Sequence, residues 1–115
     1  MKISEVIISQ FAEYDLNEIA NYYSSLSKNY VKEIISEFEK NVMSLKDYPK
    51  SGRIVPELEK QGITKYRELI QGNYRIVYEI SYDKIIVHTI IDARRNFEDI
   101  IIEKLSKYYE NNSAS

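Results

Sequence analysis

Five arginines occur in the 115 residues, and four of them, Arg67, Arg75, Arg94 and Arg95, lie between Tyr66 and Arg95. A guanidinium is a rigid fork of donors that suits phosphate or carboxylate better than lysine's ammonium does. Arg67 and Arg75 interrupt runs that otherwise read as sheet core. Each is either a solvated residue on an open face or part of an anion-binding surface, and their concentration around one small sheet favours the surface. Arg53, Glu57 and Glu59 stand just upstream. They read either as a turn with a structural ion pair, or as a carboxylate base (Glu57 or Glu59) reaching the arginine-bearing face.

The elements that must position these groups are legible. Three β-branched and tyrosine-rich runs, 66–70, 74–81 and 85–91, are separated by Gln71-Gly72-Asn73 and by Ser81-Tyr82-Asp83-Lys84. Gly, Asn and Asp tolerate the positive φ of tight hairpins. Two tight turns joining three strands give antiparallel neighbours, because parallel pairing needs a long crossover. Alternation in the middle run puts Tyr74, Ile76, Tyr78 and Ile80 on one face and Arg75, Val77 and Glu79 on the other. Arg67 and Arg75 share a face only if an odd-length loop joins their strands.

Upstream, residues 2–9 read as a strand that joins the meander. Ser9 is a helix N-cap, followed by apolar steps at Ala12, Leu16, Ile19, Ala20, Tyr23 and Leu26. Ser27 caps a second helix with Val31, Ile34, Ile35, Phe38, Val42 and Leu45 on one face, which makes an αα-hairpin. Tyr22, Tyr23 and Tyr30 read as core and edge packing, with a partner groove as the alternative. Residues 47–64 hold both prolines and two of the three glycines and read as a long connecting loop. After Arg95, Asn96 opens a short C-terminal helix with a weak stripe (Ile100, Ile101, Lys104, Leu105, Tyr108). The expected fold is therefore α+β: an N-terminal strand, an αα-hairpin, a three-stranded antiparallel meander completing a four-stranded sheet, and that helix. The length fits a single domain over 1–109, with 110–115 a disordered polar tail.

Composition narrows the chemistry. There is no cysteine and one histidine, His88, so neither a thiolate nucleophile, a metal site nor another cofactor is expected. His88 lies mid-strand with Ile86 and Ile90 and reads as buried structure. No segment has the pattern of a signal peptide or membrane span, which points to the cytoplasm and to no membrane partner. Net charge is −2, yet residues 46–75 carry seven basic and four acidic side chains. The loop and the first two meander strands are thus the basic part of an otherwise acidic chain.

The stretches S-G-R-I-V-P-E-L, Y-R-E-L, N-Y-R-I-V-Y-E-I and I-I-D-A-R-R-N, in this order, resemble the RelE/ParE superfamily of type II toxins. The resemblance runs roughly from Ile3 to Leu105 and implies a toxin neutralised by a cognate antitoxin, often a segment that folds on contact and covers the basic face or displaces the last helix. Partner contacts then fall on Arg53, Arg94 and Arg95. In the RelE-like branch the target is ribosome-bound mRNA, cut without a metal. Arg75 matches the phosphate-facing strand arginine of that branch, and Arg67 and Arg95 match basic positions beside it. The branch's second lysine is replaced by Leu69, and its C-terminal acid/base residue falls at about Ile101. Tyr108 and Tyr109 come later. The ParE-like branch poisons DNA gyrase and needs no catalytic set, which suits this chain better. A third class is a nontoxic module, or a decayed toxin, that still binds antitoxin.

Overall fold

The computed structural model describes residues 2–113. Strand β1 (Glu5–Ile8) leads into helix α1 (Gln10–Ser24), whose first turn is closed by Ala12 N–H donating to the Ser9 hydroxyl at 3.1 Å. Helix α2 (Lys28–Ser44) is capped in the same way by Ser27, from the Tyr30 N–H. The next segment carries a two-residue strand β2 (Arg53–Ile54) and one helical turn α3 (Pro56–Glu59). Pro56 begins that turn, where a missing N–H costs nothing. Strands β3 (Tyr66–Gln71), β4 (Tyr74–Ser81) and β5 (Lys84–Asp92) form the meander, and α4 (Phe97–Ser113) ends the described chain.

The sheet order is β1-β5-β4-β3-β2, with β1 parallel to β5 and the other neighbours antiparallel. The α+β architecture is as expected, with three differences. The sheet has five strands rather than four, because Arg53 and Ile54 pair with Glu68 and Arg67; two residues are too few to show a period. The C-terminal helix is 17 residues rather than short. It carries residues 110–113 of the expected tail as helical backbone, and residues 114–115 lie outside the described residues.

Both faces of the sheet are covered. The αα-hairpin packs Ala12, Phe38, Val42 and Leu45 onto Ile76, Tyr78, Ile85, Val87 and Ile90. On the other face α3 and α4 pack Leu58, Phe97, Ile101 and Leu105 onto Tyr66, Val77 and Ile91. Leu26, expected in the first stripe, lies beyond the end of α1 and is exposed. Tyr23 is sandwiched edge-on by Tyr22 and Tyr30, with centroids 4.8 and 5.0 Å apart, at the rim of the hairpin. No helix of the described residues is long and apolar enough to cross a membrane.

Candidate functional site

The hairpin between β3 and β4 decides where the arginines go. Gln71 pairs with Tyr74, so the loop is the two residues Gly72 and Asn73 rather than three. Gly72 supplies the positive φ (58°) this tight turn needs. An even loop puts Arg67 opposite Tyr78 on the hairpin-covered face, and Arg75 opposite Ile70 on the face under α3 and α4. The requirement that Arg67, Arg75 and Arg95 share one surface is not met.

Arg75 is buried and closely held. Its Nε and Nη2 donate to the two Glu68 oxygens at 2.6 and 3.0 Å, and its Nη1 and Nη2 donate to the two Glu57 oxygens at 2.9 and 2.7 Å. The guanidinium carbon lies 3.5 Å from the centroid of the Phe97 ring. Glu68 is itself almost wholly buried and also accepts from Arg53 Nε at 2.7 Å. Two carboxylates therefore answer two guanidiniums, as burial of charge demands. The Arg75 hydrogen bonds hold Glu57 below its ordinary 4.5. Burial works against the Arg75 charge, and its carboxylate partners more than offset this and raise its pKa.

Arg67 anchors a loop. Its Nη1 donates to the Gly52 carbonyl at 2.8 Å, while the Tyr78 hydroxyl accepts from Gly52 N–H at 3.0 Å and donates to the Pro49 carbonyl at 2.7 Å. A Cβ on Gly52 would stand 2.5 Å from the Glu68 carbonyl oxygen, so this close approach requires glycine. Arg94 is exposed and forms a bidentate pair with Asp92 at 3.0 and 2.7 Å. Arg95 is exposed on the turn before α4, and Glu59 is exposed on α3.

A second polar cluster lies under the end of α4. Between Val77 and Tyr78 the β4–β5 register shifts by one residue, leaving His88 as the bulged, unpaired position. The bulge resets the alternation: Ile90 packs against the αα-hairpin, whereas the His88 ring meets Tyr66 and Tyr108 edge-on at 5.5 and 4.5 Å. His88 thus does not share a face with Ile90, although it is buried as its sequence context suggested. Its Nε2 lies 2.6 Å from Glu79 Oε1, which also accepts from the Tyr109 hydroxyl at 2.5 Å. Burial opposes ionisation of Glu79, but the hydrogen bonds from His88 and Tyr109 hold its pKa below the ordinary value. Tyr109 also receives Lys65 Nζ at 3.2 Å. Sequence reading missed Glu68 and Glu79. Glu79 shares the Arg75 side of the β4 alternation, but Glu68 joins that side only through the two-residue loop, which the sequence reading did not take.

The site therefore presents no open row of arginines. Arg75 and Glu68 are buried and balance one another, and Tyr66 and Tyr78 are buried too, while Tyr109 is partly exposed.

The model of the ParE toxin of type II toxin–antitoxin systems (the parDE type) matches residues 6–97. The chain belongs to that family. No curated protein matches the sequence. Among solved structures, the chromosomal ParDE toxin–antitoxin system of P. aeruginosa superposes with a TM-score of 0.63 at 16% identity, over 78% of this chain and 95% of that one. The toxin–antitoxin complex RelBE2 from Mycobacterium tuberculosis gives 0.54 at 16% identity, over 80% and 93%. At such identities these likenesses speak for the fold, while the family match speaks for a toxin. In this ParE-family toxin the strand arginine, Arg75, is spent inside the protein.

Proposed function

We propose that this toxin halts growth by binding DNA gyrase and blocking replication, without a catalytic step of its own, and that a cognate antitoxin neutralises it. The observation that carries the reading is the enclosure of Arg75. In a ribonuclease this arginine has to face a scissile phosphate; here Glu57 and Glu68 take four hydrogen bonds from it beneath the Phe97 ring. Glu57, the nearest candidate base, is engaged by the same guanidinium, and Arg67 lies across the sheet. Catalysis of phosphate cleavage needs donors aimed at developing charge, and these are aimed at protein carboxylates. The antitoxin is inferred from the ParDE and RelBE2 relatives, which are toxin–antitoxin assemblies.

Pulse labelling after induction in a bacterial host tests the reading. DNA synthesis is expected to fall first, and the purified toxin to inhibit supercoiling by purified gyrase. Protein synthesis stopping first would overturn it in favour of mRNA cleavage. No change in either would mean a chain that keeps the fold without the poison.

A further inference from the structure

The connection between α2 and β2, residues 45–52, is fixed from beneath. Tyr48 N–H donates to the Ser44 carbonyl at 3.0 Å, and Ser51 N–H to the Tyr48 carbonyl at 3.1 Å. The hydroxyl of Tyr78, wholly buried in β4, bonds both Pro49 and Gly52, and Arg67 of β3 holds the Gly52 carbonyl. A buried hydroxyl and a half-buried guanidinium are thus committed to a segment whose residues 46–51 contribute nothing to either apolar core. What this support displays is Tyr48, 70% exposed, between the exposed Lys46 and Lys50. None of these three side chains makes a hydrogen bond or ion pair among the described residues. Residues 47–51 line an open recess of about 500 Å³ beside them. A phenol carried on an ordered loop is a contact of low entropic cost, because the backbone is already fixed and the ring has few torsions to lose.

We propose that the Tyr48 loop is the surface by which this toxin holds gyrase: the ring enters an apolar pocket on the enzyme's protein surface, and Lys46 and Lys50 face acidic side chains at the rim of that pocket. The assignment rests on the gyrase reading above and adds the place and the chemistry. Charge complementarity selects the occupant. In a chain of net charge −2, the loop sets two free lysines against the single Asp47, so it draws carboxylates where the molecule as a whole does not. A phosphate backbone is held by several cations acting together. Here Asp47 stands between the two lysines, and the neighbouring Arg53 is already paired to Glu68. An aromatic centre with a charged rim is instead the pattern of a protein–protein hot spot.

The experiment measures binding of the full-length toxin to purified gyrase without DNA, alongside inhibition of supercoiling. Tyr48→Ala is expected to weaken binding and inhibition about ten- to a hundredfold, with an unchanged melting temperature and unchanged affinity for the antitoxin. Lys50→Glu is expected to slow association at low salt, with little difference from wild type at high salt. A Tyr48→Ala toxin that binds and inhibits gyrase like wild type would overturn the assignment and leave the gyrase reading standing. Binding that appears only when DNA is present would make nucleic acid the contact and overturn it as well. If the wild-type toxin neither binds nor inhibits gyrase, the gyrase reading itself is what fails, and the assignment falls with it.

Discussion

Truncating Arg75 would leave the Glu68 carboxylate buried, with only a side chain of Arg53 that is 60% exposed against it. Breaking a buried pair from one side costs about 3–5 kcal/mol. Arg75→Ala is therefore expected to lower the melting temperature by roughly 10 °C or more. Arg95→Ala, which breaks no side-chain hydrogen bond or ion pair among the described residues, should stay within about 0.5 kcal/mol of wild type. Loss of toxicity in the first variant thus reports unfolding, and in the second a lost contact; thermal melts separate them. The sequence displays the arginines plainly, but not their partners. Reading Gln71 as turn rather than strand shifts the hairpin loop by one residue, and a one-residue shift moves a side chain to the opposite face. Arg67 and Arg75 part company on that single residue.

Helix α4 is held as much by polar clasps as by apolar burial. Phe97, Ile101 and Leu105 are its buried apolar side chains, while Lys104 pairs with Asp15 of α1 and Tyr109 with Glu79 of β4. Such an element opens at lower cost than the central strands. Asp15→Ala would orphan the Thr89 hydroxyl and the Ile90 N–H as well as Lys104. Hydrogen exchange should then accelerate in α4 and at the Ile90 amide that Asp15 held, while the β4 amides still exchange with global unfolding. Equal acceleration everywhere would show that α4 does not open separately. The helix was legible from its stripe, and β1, α1, α2 and the meander from period and caps. The β5 bulge and the two-residue β2 were not, because neither leaves a periodic trace.

At the scale of the molecule, two carboxylates that join layers of the fold, Glu57 and Glu79, are held below the ordinary 4.5. Each binds fewer protons folded than unfolded, so the stability it lends is complete above that value and drains as pH falls below it. Urea midpoints should be flat from neutrality to about pH 5 and then fall, with Glu57→Gln flattening the acid limb; an unaltered limb would remove Glu57 from the account. The pairing of β1 with β5 carries a different consequence. Glu5 finds its sheet partner at Lys84, 79 residues later. During synthesis β1 waits, unpaired, for β5, and α4 follows later still. A nascent or truncated chain that lacks β5 cannot close the sheet on either side. A cell that makes this toxin is therefore exposed to the closed sheet only once β5 has been synthesised.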